Sequence, residues 1–206
     1  MTNTRLSKYE AYFGRAADFV LEARSDTTPA IAVGRFPIVS AGFLRRFVTP
    51  VYDRFIYITY GMSSKPMTVP PDQARVYPPS IELIAYCKEI YVGAHDGTDM
   101  VSLYLQALAT MPFQTDIFLG PMHTAALEEP ICPNSEMNAF FLAVPDGVEM
   151  SRLCSCTPSA QLVVSVMPIT ASERAYVVTN GPESFIGLLD QHCVPNLFDP
   201  FRRAVV

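Results

Sequence analysis

An α+β fold, with a mixed β-sheet packed against helices, is what the residue pattern of this chain predicts, and three observations carry it. Short runs rich in β-branched and aromatic residues, such as DRFIYITYG and NAFFLAVP, alternate with segments of helical periodicity. The run AQLVVSVMP is apolar on both alternating faces, as a strand buried at the centre of a sheet must be. No repeat or linker-like stretch divides the 206 residues, so a single domain over 1–206 is expected.

The elements follow in order. Leu6, Tyr9, Phe13, Ala16, Ala17 and Val20 recur at helical spacing among Arg5, Lys8, Glu10 and Arg15, which predicts an amphipathic helix over about 3–22. SDTTP ends it with turn-forming residues. AIAVGRFPIV reads as a strand pair or a bent strand, since Gly34 and Pro37 interrupt it. DRFIYITYG and SIELIAYCKEIYV are strands, joined by TYGMSSKPMTVPP, whose three prolines keep part of the connection extended.

Val101, Tyr104, Leu105 and Leu108 form one face of a helix in HDGTDMVSLYLQALATMP, with Asp96 or Thr98 as its cap and Pro112 as its stop. TDIFLG and NAFFLAVP are short strands separated by the turn-rich EEPICPNSE. In TASE, Thr170 and Glu173 have the spacing of a capping box. Gly181 suits the end of the helix that follows, and Pro182 the first position of another, whose Phe185, Leu188 and Leu189 face the core.

Half of the residues are hydrophobic and 17% are charged, a globular composition, and the net charge is −5. That balance argues against binding to nucleic acid or to acidic lipid, and the pairs Arg45-Arg46 and Arg202-Arg203 are too short to reverse it. The N-terminus lacks the apolar core of a signal peptide, and no stretch is long enough for a membrane span. Five cysteines, an odd number without an export signal, read as reduced thiols in a cytoplasmic protein.

No phosphate loop, dinucleotide fingerprint or Gly-x-Ser-x-Gly elbow is present. Ser64 and Lys65 are adjacent and so lack the Ser-x-x-Lys spacing that aims both side chains at one point. Cys154 and Cys156 with His192 and Cys193 make the best metal candidate, but Cys-x-Cys is a poor zinc spacing, and the expectation is no metal and no cofactor. His95 and His123 lie in turn-rich segments and read as structural. Glu128, Glu129, Glu136, Asp146 and Glu149 flank one strand in two turn-rich segments and suggest acidic patches for a basic partner.

Several pieces, in order from about residue 30 to the end, resemble the suppressor-of-fused domain family. They are YITYGMSSKPMTVP followed by YPPSIELIAYC, then LYLQALATMPFQTDIFLGPMHT, NAFFLAVP, VVSVMPITASERAYVVTNGPESFIGLLDQH and the DPFRRAVV ending. The residues that carry the likeness, Gly61, Met62, Ser63, Pro66, Met67, Pro168, Thr170, Glu173, Gly181, Asp199 and Pro200, are structural on this reading. The resemblance implies a compact α/β sandwich, no enzymatic activity and a protein partner. Stand-alone domains of this kind look like bacterial immunity proteins of polymorphic toxin systems, which implies a toxin domain as the partner. A general interaction module is the alternative, and a metal-dependent hydrolase the third. The family's usual tryptophans are absent here, and the CSC segment departs from its pattern.

Overall fold

The computed structural model describes residues 4–24, 26–38, 54–88, 90–91, 99–115, 117–145, 147–157 and 159–206. Its elements in order are α1 (Thr4–Phe13), β1 (Phe19–Leu21), β2 (Ala32–Ile38), β3 (Arg54–Tyr60), a 3-10 turn (Met62–Ser64) and β4 (Ile81–Cys87). Then come α2 (Met100–Gln114), β5 (Thr124–Ala126), β6 (Met137–Ala143), α3 (Gly147–Cys156), β7 (Leu162–Thr170), α4 (Ala171–Asn180) and α5 (Pro182–Gln191). The seven strands form one sheet in the order β1-β2-β3-β4-β7-β6-β5. All neighbours are antiparallel except β4 and β7, which run parallel with Ile81 opposite Leu162.

Strand alternation sends side chains to opposite faces, and helices cover both. On one face Val33, Tyr57, Leu83, Ala85, Val164 and Val166 pack with Val101, Leu105, Leu108 and Ala109 of α2. The other face carries two clusters. Ala32, Phe36, Ile56, Ile58, Ile84 and Val163 meet Tyr9 of α1 with Leu153 and Cys156 of α3, whereas Ala139, Phe141, Met167 and Ile169 meet Val177, Phe185 and Leu189 of α4 and α5. The sheet is the middle of three layers.

Several expectations change. The helix predicted over 3–22 stops at Phe13, because Gly14 takes φ 67°, and Phe19–Leu21 instead pairs with β2 as an edge strand. AIAVGRFPIV holds one strand, not a pair: Pro37 lies beyond the part of β2 that β1 covers, where a missing N–H is tolerated. The cap of α2 is Asp99 rather than Asp96 or Thr98, which lie outside the described residues, and Pro112 sits inside the last turn. In TDIFLG, residues 117–120 form no strand, and β5 lies further on. Glu149, expected in a turn-rich segment, belongs instead to a helix, α3, which also carries Cys154 and Cys156.

One buried acid organises the loop after β3. Glu82, the second residue of β4, is fully buried and accepts hydrogen bonds from Thr59 Oγ1 and Ser63 Oγ (2.7 Å each) and from the Gly61 and Ser63 N–H groups (3.1 Å each). Gly61 turns the chain at φ 115°, and a Cβ placed there would lie 2.2 Å from the Ala30 carbonyl oxygen. Met62 and Met67 then enter the core beneath α2, Met67 anchored by its N–H to Pro79 O at 2.8 Å. Burial pushes the Glu82 carboxyl up, and the bonds from Ser63, Thr59 and Gly61 offset part of that rise.

A second buried acid secures the C-terminus. Thr170 and Glu173 form a complete capping box at the start of α4. Glu173 also accepts a bidentate pair from Arg202 (2.7 Å for each bond) and the Val205 N–H at 3.0 Å, while Arg202 donates to Pro168 O at 2.9 Å. Burial alone would raise the Glu173 carboxyl. The Arg202 and amide donors outweigh it and hold the group below the ordinary carboxylate range.

Gly61→Val combines a disallowed φ with a backbone clash and is expected to cost more than about 2 kcal/mol in denaturant titration. Ser64 is an exposed residue whose Oγ donates locally to Gly61 O, so Ser64→Ala should cost less than about 1 kcal/mol. Equal small effects would show that the turn is unstrained.

The two glutamates give opposite pH dependences. Glu173 contributes stability that is present above its unfolded pKa and lost as pH falls through its lowered value. Stability linked to Glu82 is full below its unfolded pKa and lost as pH rises through its raised value. Glu173→Gln should therefore flatten the decline below about pH 4, and Glu82→Gln the decline that begins above about pH 4.5. Unfolding midpoints measured across that range test both, and curves parallel to wild type would refute the assignment.

Candidate protein-binding surface

The start of α2 is fixed by a polar cluster, which sets what the helix shows to solvent. Asp99 caps it by accepting the Ser102 N–H at 3.1 Å through Oδ1. Its Oδ2 receives Arg35 Nη1 at 2.7 Å and the Tyr57 hydroxyl at 2.9 Å. Arg35, on β2, also bonds Asp18 at 2.8 Å and lies over the rings of Phe19 and Phe55. Burial and then the Asp99 charge push the Tyr57 phenol up, so it remains a donor.

Held in this rotation, α2 turns Leu103, Ala107 and Gln114 outward, with Leu103 42% exposed. None of its fifteen residues, MVSLYLQALATMPFQ, carries a charge. A helix face that meets only water ordinarily does.

A groove of about 620 Å³ lies beside this stripe, lined by Leu103, Tyr104 and Ala107 on one side and Glu129, Ile131 and Cys132 on the other. The second wall belongs to the loop joining β5 to β6, and the Tyr104 hydroxyl holds it by donating to Ile131 O at 2.9 Å. Burial pushes the Cys132 thiol up, so it is not an activated nucleophile. On the other flank of Leu103 and Ala107, a hollow of about 320 Å³ is lined by Arg24, Gln106, Thr110 and Gln114.

Glu128, Glu129 and Glu136 are exposed on that same β5–β6 loop. Asp146 lies outside the described residues, and Glu149 belongs to α3 with its side chain likewise outside them. The two acidic groups therefore flank β6 along the chain, and among the described acids Glu129, of the first group, lines the groove.

The other singled-out residues are placed apart. Cys154 and Cys156 pack within the α1–α3 cluster, while His192 ends α5 and Cys193 is exposed beyond it. Among the described residues, no group of three or more His, Cys, Asp or Glu is placed to hold a metal ion. His123 packs against Tyr77 (tilted) and Phe118 (edge-on) at ring distances of 4.6 and 5.0 Å, and burial lowers its imidazole toward the neutral form. His95 lies outside the described residues. Ser63 is bound to Glu82, and Lys65 reaches over the Phe113 ring at 5.7 Å. No described helix is long and apolar enough to cross a membrane.

Of these features, sequence reasoning had missed the outer stripe of α2. Its signal was in plain view: a fifteen-residue helix without Asp, Glu, Lys, Arg or His. The buried role of Glu82 was equally missed, although a lone acid inside the apolar run IELIAYC marks it.

The family model "Suppressor of fused protein (SUFU)" matches residues 48–203. No curated protein matches the chain in sequence. Among solved structures, a putative suppressor-of-fused homolog from Neisseria gonorrhoeae aligns with TM-score 0.64 and 15% identity over 98% of this chain and 95% of that one. A Sufu–Fu complex aligns with TM-score 0.62 and 11% identity, covering 97% and 90%. Drosophila Suppressor of Fused aligns with TM-score 0.54 and 14% identity, covering 84% of this chain but only 42% of that longer one. At such identities the structural likeness establishes the fold. The family match spans most of the chain, and the chain belongs to the suppressor-of-fused family.

Proposed function

We propose that this member of the suppressor-of-fused family is a non-catalytic, cytoplasmic protein-binding domain, and specifically an immunity protein that neutralises a cognate toxin domain by covering it. The observation that carries this reading is the exposed acidic loop Glu128, Glu129 and Glu136 beside an open apolar groove. A related fold has been solved in a Sufu–Fu complex, which supports protein binding as the task. Many toxin domains that act on nucleic acid are basic, and an acidic surface speeds encounter with such a partner without any catalytic group. The buried acids Glu82, Asp99 and Glu173 are each engaged in holding the fold, which is consistent with this division.

The direct test is co-expression with the toxin domain of a large secreted protein encoded by a neighbouring reading frame. Growth should be restored by this chain, and the purified pair should associate. Replacing Glu128→Lys together with Glu129→Lys should slow association at least about fivefold at low salt, with the difference shrinking as salt rises. Folding should be intact by circular dichroism. Growth that is not restored would sink the immunity reading, and an unchanged on-rate with no salt effect would remove its electrostatic part.

A further inference from the structure

We propose that the solvent stripe of α2, with the groove between it and the β5–β6 loop, is the seat for an amphipathic helix of a partner protein, apolar on one side and lysine- or arginine-rich on the other. This rests on the reading that the chain binds proteins, and it names the surface and the chemistry of what occupies it. Three observations combine. The stripe presents Leu103 and Ala107 with no charge anywhere on the helix, the composition of an interface core and not of a solvated face. The groove beside it is walled by Ile131 and Cys132, so an apolar side chain entering it leaves water on both sides. Glu129 stands in the far wall with Glu128 next to it, both exposed, so the rim on the groove side is acidic where the floor is apolar, while Arg24 on the opposite flank is paired with Asp26.

That pattern selects the occupant by charge. A helix laid along α2 buries its apolar side on Leu103 and Ala107 while its cations reach the Glu128 and Glu129 carboxylates. An acidic amphipathic helix meets the same floor and is repelled at the rim. α2 is about 22 Å long, which matches roughly fifteen residues of a partner helix.

The probe is a fluorescein-labelled helical peptide of about 18 residues, leucine on one face and lysine on the other, with a leucine and glutamate peptide of the same pattern as its control. Fluorescence anisotropy with the full chain should give the lysine peptide a Kd on the order of 10 µM, at least about tenfold tighter than the glutamate peptide. Leu103→Lys and the Glu128→Lys, Glu129→Lys double variant should each weaken it about fivefold or more. A double variant at exposed acids elsewhere, Asp72→Lys with Asp190→Lys, should not. Bound peptide should also slow alkylation of Cys132, in the groove, and leave exposed Cys193 unaffected. Equal binding of the two peptides, equal loss in the control variant, or no protection of Cys132 would overturn the proposal. A chain dimer in sedimentation that Leu103→Lys dissolves would overturn it in favour of a second copy. If a cognate toxin is neutralised while Leu103→Lys and the Glu128, Glu129 variant leave its affinity unchanged, protein binding stands and this seat is wrong.

Discussion

The fold turns on the burial of Glu82. A carboxylate taken out of water costs several kcal/mol unless its oxygens find donors, and here Thr59, Gly61 and Ser63 supply them from the end of β3 and the turn after it. That requirement holds only if β3 and β4 keep the register that places Ile58 opposite Ile84 and the chain reverses at Gly61. The reversal drops Met62 and Met67 beneath α2. Ser63 Oγ also meets Ser159 Oγ at 3.1 Å, just before β7, so the same group ties the antiparallel and parallel neighbours of β4 together.

Two further acids hold junctions by a different means. Asp99 joins the start of α2 to β2 and β3 through Arg35 and Tyr57, and Glu173 joins α4 to the C-terminal segment through Arg202. Both have a cationic partner, whereas Glu82 is held by neutral donors alone in the bonds described. Removing Arg202 would strand a charge that is fully buried, which is why such pairs resist single substitutions more than their net contribution suggests. The Asp99 junction matters for function as well as stability, because it sets the rotation of α2 and so decides which side chains face out.

What was legible in the sequence was what local chemistry decides. The capping box of Thr170 and Glu173, Pro182 opening α5 and the doubly buried run of β7 all depend on near neighbours or on composition. Features set by distant pairing were not legible. Phe19–Leu21 sits at helical spacing with what precedes it and is a strand only because β2 lies alongside. Pro37 and Pro168 look like interruptions, yet each lies where the strand has lost one flanking partner: β1 ends its pairing at Arg35, and β4 pairs only as far as Ser165. TDIFLG is apolar enough for a strand, but residues 117–120 pair with no neighbour as a strand and run irregularly, with Leu119 buried and Ile117 56% exposed. In the candidate site the acidic loop was visible as charge, while the neighbouring stripe was not, because an uncharged helix looks the same whether core or partner covers it.

Packing explains the inner side of α2 completely and its outer side not at all. Val101, Leu105, Leu108 and Ala109 are buried against the sheet, and no lysine or glutamate fits there. Leu103 and Ala107 face away from that core, and charged residues with good helix propensity would serve equally well in those positions without disturbing the layer below. Exposed leucine is ordinary when it stands alone; beside a groove of about 620 Å³ on an uncharged helix it forms a continuous surface. Neither the buried acids nor the three packed layers require that surface. On the proposed reading the requirement comes from outside the described layers: in contact with another protein, an apolar stripe with an acidic rim is an advantage over a charged one.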